Sequence, residues 1–286
     1  MAGDKLTSES RPAARFPWWS FTKTVLASCV LRLVAEGRLQ LDDLLPGHSY
    51  TLRQLLQHRA GVPEYGKLKA YHEAVARRDD PWPIDELLER VGADDLDFAP
   101  GTGWAYSNVG FLFVRRIIEE VTGADVETAM RDLVFSPLGL SSPKLAKTPA
   151  DLDATAWGNR ERYHPGWVYH GLLIGTAMDA ARFLDELMAG RLLAPDLLAV
   201  MTARHPLGGA PPGRPWETTG YGLGLMSGRM SGAGPAIGHS GQGPGSVSAV
   251  YHFPEARPPC TTAAFAEAED EGITEHAVAR IAALWA

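Results

Sequence analysis

The chain changes character at Tyr221, and that change restricts the fold more than any other feature. Before Tyr221 the apolar residues recur at helical spacing between short capped loops. After it come Tyr221 to Ser227, Ala236 to Ser240, Ser246 to Phe253 and Cys260 to Ala266, short segments separated by Gly or Pro. In the third, Val247, Ala249, Tyr251 and Phe253 alternate as strand residues do. A terminal helix over about Thr274 to Trp285 follows. A helical body, a late antiparallel sheet and a helix against it make an α+β protein, not an alternating parallel sheet.

The first long helix is expected from Ser20 to about Glu36, with Gly37 just past its end. It is apolar nearly all round, the mark of a buried helix. Thr51 caps a short helix to about His58, and Pro83 opens another ending near Val91. Asn108 is expected to cap a helix through Val121, and a further helix covers Asp125 to Val134. Ser141 to Gly166 reads as loop, Thr176 caps a helix to Ala189, and Ala194 to Ala203 is a short helix. His205 to Pro215 reads as a surface loop.

With 286 residues the chain is long enough for a substantial core. A formal charge of −7 argues against non-specific nucleic-acid binding. No stretch is apolar and long enough to span a bilayer. Met1 to Arg15 lacks the apolar segment of a secretory signal, so a cytoplasmic location is expected. The nine His residues show no metal spacing and no C-x-x-C occurs, so neither metal nor other cofactor is expected. Cys29 and Cys260 allow one disulfide, but Cys29 sits in an apolar helix and reads as a small buried thiol.

Three short elements carry chemistry. Ser20 and Lys23 share a face at a helix start, where unpaired backbone N–H groups and the helix dipole favour a developing oxyanion. A serine hydroxyl needs a base, and a buried lysine can become one. Ser141-Ser142-Pro143-Lys144 has the same spacing but lies in a loop. Tyr106 and Asn108 project together before a helix and supply a phenol for proton relay and a carboxamide for a substrate amide. The plainer reading of Asn108 alone is a helix N-cap. His239-Ser240-Gly241 ends a strand; its imidazole can bind a carboxylate or polarise a substrate, and Gly241 permits close approach of a ligand. The N–H just beyond, of Gln242, is a candidate oxyanion donor.

The surroundings extend these elements: Val30 to Gly37, Leu55-Leu56-Gln57-His58 with Gly61-Val62-Pro63, Tyr106 to Gly110, Pro137 to Leu140, Gly175-Thr176-Ala177, Tyr221 to Gly224 and Gly238 to Gly245. On these the chain resembles the serine β-lactamase and penicillin-binding-protein superfamily. The branch is that of class C β-lactamases, D-alanyl-D-alanine carboxypeptidases and family VIII esterases. The resemblance covers about Phe16 to Pro254. It implies a β-lactamase-like fold, a helical lobe plus an antiparallel sheet flanked by helices, with Ser20 acylated, Lys23 its base and Tyr106 base or proton shuttle. Asn108 would orient the substrate, His239 would stand where many relatives carry Lys, and the Ser20 and Gln242 N–H groups would form the oxyanion hole.

The chain departs from that pattern in places. In the sequence given 19 residues precede Ser20, so the usual N-terminal strand pair is expected to be missing. A sheet of about three strands is therefore expected, with an open edge that either is covered by a second copy or marks a truncated, impaired member. Pro17-Trp18-Trp19 precedes the nucleophile, where two indoles would narrow the mouth or wall the acyl site. The expected organisation is an extended segment over 1–15 and one hydrolase domain over 16–286. The expected activity is cleavage of an ester or small amide or peptide through a Ser20 acyl-enzyme. The alternatives are a β-lactamase or D-Ala-D-Ala-type carboxypeptidase, or a catalytically weak binding member.

Overall fold

The computed structural model describes residues 13–159 and 161–285. Residues 1–12 of the expected N-terminal segment lie outside the described residues. Arg15 opens strand β1, Arg15–Pro17.

Helix α1, Thr22–Ala35, is the centre of the molecule. Every residue from Thr22 to Leu31 is buried, as its all-round apolar surface requires. Its interior hydroxyls are satisfied locally: Thr24 donates to the Gly224 carbonyl at 2.8 Å and Ser28 to the Thr24 carbonyl at 2.9 Å. The helix starts two residues later than expected, because Trp19 to Phe21 form a separate 3₁₀ turn. Cys29 and Cys260 are both free and buried, and burial pushes the Cys29 thiol up.

Around α1 stand α2 (Leu52–Leu56), α3 (Lys69–Arg77), α4 (Ile84–Val91), α5 (Asn108–Thr122) and α6 (Val126–Met130), the last continued by a π-helical turn to Phe135. Thr51 and Gln54 form a reciprocal capping box on α2. The expected loop over 141–166 contains a short helix, α7 (Pro149–Asp153), and strand β2 (Lys144–Leu145). Strand β3 (Leu173–Thr176) lies between β1 and β2 in a small antiparallel sheet. α8 (Ala177–Met188), capped by Thr176, and α9 (Pro195–Thr202) follow.

The main sheet has six antiparallel strands in chain order: β4 (His205–Gly208), β5 (Trp216–Tyr221), β6 (Met226–Met230), β7 (Gly234–Gly243), β8 (Ser246–Phe253) and β9 (Cys260–Ala266). The expectation of about three strands is therefore corrected. β4 runs His-Pro-Leu-Gly, and β5 carries Thr218, Thr219 and Gly220 instead of alternating apolar residues. Pairing with neighbours, not periodicity, makes them strands. Tyr221 closes β5, and residues 222–225 turn the chain into β6. α8 and α10 (Glu271–Ala283) both pack on β9. Among the described residues no further strand pairs with the outer edge of β9, and β1 is the one strand before Ser20. No described helix is long and apolar enough to cross a membrane.

An ionic clamp holds α10 to the sheet. Glu275, fully buried on α10, accepts from Arg214 Nε at 2.6 Å and from the Ser240 hydroxyl of β7. Arg214 also reaches Glu271 at 3.0 Å. A buried carboxylate is tolerated only while its cation and donors stay in place. Arg214→Met is expected to cost about 3–5 kcal/mol of stability. Urea denaturation reads this; a change below about 1 kcal/mol would mean the clamp carries no such weight.

Candidate active site

The turn before α1 is shaped by the strand that lies against it. A Cβ on Gly241 would stand 2.7 Å from Ser20 N and 2.7 Å from Trp19 Cβ. One on Gly243 would enter the Trp19 ring, 2.2 Å from its nearest atom. Glycine at both positions lets β7 pass flush beneath the Ser20 backbone. Trp19 holds φ at +47°, a left-handed conformation that costs a bulky residue energy and needs enforcement by its surroundings. Enforcement comes from its indole N–H, which donates to Ser246 Oγ at 2.9 Å. The two indoles diverge in role. Trp19 walls the cavity at Ser20, whereas Trp18 is wholly buried against Phe21 and Phe135 and takes no part in the mouth.

Four expected residues converge. Lys23 Nζ lies 3.2 Å from Ser20 Oγ and 2.7 Å from Asn108 Oδ1, and the Tyr106 hydroxyl donates to Ser20 Oγ at 2.9 Å. Lys23 is wholly buried while Ser20 keeps some exposure. Ser20 opens onto a cavity of about 140 Å³ walled by Trp19, Tyr65, Tyr71, Tyr163 and His170, with Gln242 and Gly243 on the strand side.

Asn108 does not cap α5. Ser107 does so, accepting from Gly110 N at 2.9 Å, and Asn108 is the first helical residue with its side chain free for the site. Glu64 fixes its carboxamide: Asn108 Nδ2 donates to Glu64 Oε1 at 3.0 Å, and the Asn108 backbone N–H donates to Glu64 Oε2. The amide nitrogen is thereby committed to Glu64 and the oxygen turned to Lys23. His58 holds the preceding segment, accepting from Ser107 N at 3.1 Å with its ring 4.3 Å from that of Tyr106.

Along β7 the side chains alternate across the sheet. His239 faces the Tyr106 side, ring to ring at 6.3 Å, while Ser240 points to Tyr251 and Glu275 on the other face. Both His239 nitrogens are engaged, Nε2 with the Tyr221 hydroxyl at 2.8 Å and Nδ1 with the Ser240 carbonyl. His239 is buried, so in this arrangement it braces the floor of the site and presents no free N–H. The Gln242 side chain donates outward to the Glu269 carbonyl, and Gln242 is among the residues lining the cavity.

Burial sets the protonation states. It pulls Lys23 from its ordinary value down to about 7, against the opposing carboxylates of Glu64 and Glu271. His239 falls to about 3, through burial first and the Lys23 charge second. Burial and Lys23 likewise hold His58 and His170 well below the usual imidazole range. Tyr106 is pushed up by burial, with the Ser20 hydrogen bond opposing, so it is a phenol near neutral pH. The site therefore pairs a hydroxyl with an amine that is half neutral near pH 7 and a phenol able to pass a proton. No group of three or more His, Cys, Asp or Glu side chains among the described residues could hold a metal ion.

Sequence reasoning missed Glu64 and His170. Glu64 directly follows the Gly61-Val62-Pro63 segment, and His170 precedes the Gly175-Thr176 segment by five residues. Neither position is set by a periodicity, because each reaches the site from a loop.

Several known proteins are similar to this chain in sequence or in fold. The chain is 29% identical over 168 residues to Penicillin-binding protein 4* of Bacillus subtilis (strain 168), covering 53% of this chain and 36% of that protein. It is 33% identical over 143 residues to Esterase EstB of Burkholderia gladioli, covering 42% and 36%. The chain thus spans about a third of the length of these curated relatives. Its fold overlays a D-stereospecific amidohydrolase from Streptomyces sp. with a TM-score of 0.76 and 27% identity, covering 90% of this chain and 83% of that one. Residues 3–281 match the family model described as Beta-lactamase, and the chain belongs to the beta-lactamase family.

Proposed function

We propose that the chain is a serine hydrolase that cleaves an ester or small amide through an acyl-enzyme on Ser20. The observation that carries this reading is the convergence of Lys23 Nζ and the Tyr106 hydroxyl on Ser20 Oγ, at 3.2 and 2.9 Å. Lys23 in its neutral form accepts the Ser20 proton as Oγ bonds to the substrate carbonyl carbon. The carbonyl oxygen becomes an oxyanion, which the Ser20 and Gln242 backbone N–H groups stabilise. The close passage of Gly241 beneath Ser20 N supports that pairing. When the tetrahedral species collapses, the bond to the leaving group breaks and the leaving group takes a proton relayed from Lys23 through Tyr106. Water then attacks the ester, and its proton returns by the same groups to Ser20.

Asn108, its carboxamide fixed by Glu64, holds Lys23 in place rather than reaching the substrate itself. His239 contributes through Tyr221 and the shape of the floor. The aromatic wall of Trp19, Tyr65, Tyr71 and Tyr163 favours an apolar or aromatic acyl group. The esterase and the amidohydrolase among the similar proteins support an ester or amide as the bond attacked. Residues 16–286 are read as one hydrolase domain, because β8 joins two apolar clusters: Val250 belongs to the one that runs from Trp18 through α1 and the helical lobe, and Ala249 and Tyr251 to the one beneath α10. The outer edge of β9 is proposed to pair with a second copy. Light scattering of the full chain tests that pairing: a dimer or larger assembly supports it and a monomer overturns it.

Hydrolysis of short-chain p-nitrophenyl esters is expected in the wild type and lost in Ser20→Ala by at least about 10³-fold. Intact mass after fluorophosphonate treatment is expected to show one adduct, absent in the mutant. Equal activity in both proteins would sink the acyl-enzyme reading.

The rate should also follow the Lys23 titration. Because burial lowers this pKa to about 7, the neutral base is present above pH 7 and lost below it. The kcat/KM is expected to rise about tenfold per pH unit up to 7 and then level. A profile flat from about pH 5 to 9, or an acid limb near the ordinary lysine value of about 10, would exclude Lys23 as the base.

A further inference from the structure

Lys23 Nζ has a third polar neighbour besides Ser20 and Asn108. His170 Nε2 lies 3.1 Å away, and both side chains are buried. A neutral amine has two N–H donors and one lone pair, arranged tetrahedrally. Asn108 presents only its oxygen to Lys23, because Glu64 binds its nitrogen. Burial and the neighbouring Lys23 keep His170 uncharged, so one of its ring nitrogens is an acceptor. If Nε2 is that acceptor, both Lys23 N–H bonds are spent, on Asn108 and on His170. The remaining direction, that of the lone pair, falls to Ser20.

We propose that His170 is a positioning residue: it accepts from Lys23 through Nε2 and so aims the Lys23 lone pair at Ser20 Oγ. The proposal rests on the reading of Ser20 as nucleophile and Lys23 as base. When the Ser20 proton moves to Lys23, the resulting ammonium already has acceptors for its other two hydrogens, so nothing need rotate. The ring is a costly way to fill space. Its Nδ1 is buried with no hydrogen-bond partner among the described residues, a cost that an apolar side chain of similar size would avoid. Lys23 is thus the polar anchor of the imidazole. The other charged and titratable groups that reach the pair are Glu64, Glu271, Arg115, His58 and His239. Of these, Glu64 and His239 are held by hydrogen bonds of their own to Asn108 and Tyr221.

The test compares the full-length wild type with His170→Leu, His170→Gln and Ser20→Ala. The readouts are the rate of fluorophosphonate acylation by intact mass, and kcat and KM on p-nitrophenyl acetate. The leucine variant is expected to acylate about 10–100-fold more slowly, with the loss in kcat and little change in KM. Its acid limb should move to lower pH, because the ammonium loses an acceptor. Glutamine, whose Oε1 can accept from Lys23, should restore most of the rate. Leucine at wild-type speed, glutamine as slow as leucine, or a loss confined to KM would overturn the proposal. Labelling undiminished in Ser20→Ala would instead overturn the nucleophile assignment. Should the leucine variant fail to fold, ¹⁵N-histidine NMR of the wild type decides: an Nδ1–H tautomer for His170 is required, and an Nε2–H tautomer contradicts it.

Discussion

A lysine with no exposed surface sits in the first turn of the central helix, and the site is organised around the cost of keeping it there. Burying an ammonium is expensive unless it is paired or gives up its proton. Among the described residues no carboxylate hydrogen-bonds to Lys23; its hydrogen-bonding neighbours there are a hydroxyl, a carboxamide oxygen and an imidazole. Neutral partners stabilise the charge only in part, so the amine is left close to neutrality near pH 7. The acidic groups that would raise its pKa act at a distance: Glu64 is engaged by Asn108, and Glu271 by Arg214.

The rest of the architecture supplies the conditions for that burial. α1 is apolar nearly all round, so it can occupy the centre and carry Lys23 inward with it. Strand β7 closes the site from the other side, and its glycines bring it against the Ser20 turn. The Arg214, Glu275 and Ser240 cluster fixes the opposite face of the same strand to α10. Chemistry on one face and an ionic anchor on the other follow from the two-residue alternation of a strand.

Much of this was legible in the sequence. The buried helix followed from its apolar circumference. The grouping of Ser20, Lys23, Tyr106 and Asn108 followed from residue types suited to acyl transfer, and the family from the motif order. What escaped depended on partners distant in sequence. Ser107 and Asn108 are both good N-caps, and only His58 and Glu64, drawn in from another loop, decide which one caps. Trp18 and Trp19 are chemically the same residue, yet a positive φ at the second sends one into the core and the other to the cavity wall. Strands β4 and β5 lack an apolar alternation and are strands because β6 pairs with the latter. His170 reaches Lys23 across 147 positions, a contact no local pattern encodes.

The central claim is that Lys23 is a neutral base near physiological pH, and a direct titration of its side chain tests it without reference to any substrate. In protein labelled with ¹³Cε-lysine, one resonance, assigned by its absence in Lys23→Arg, should titrate with a midpoint near 7. If that resonance instead titrates near the ordinary lysine value of about 10, Lys23 is an ammonium at neutral pH and the account of the site is wrong.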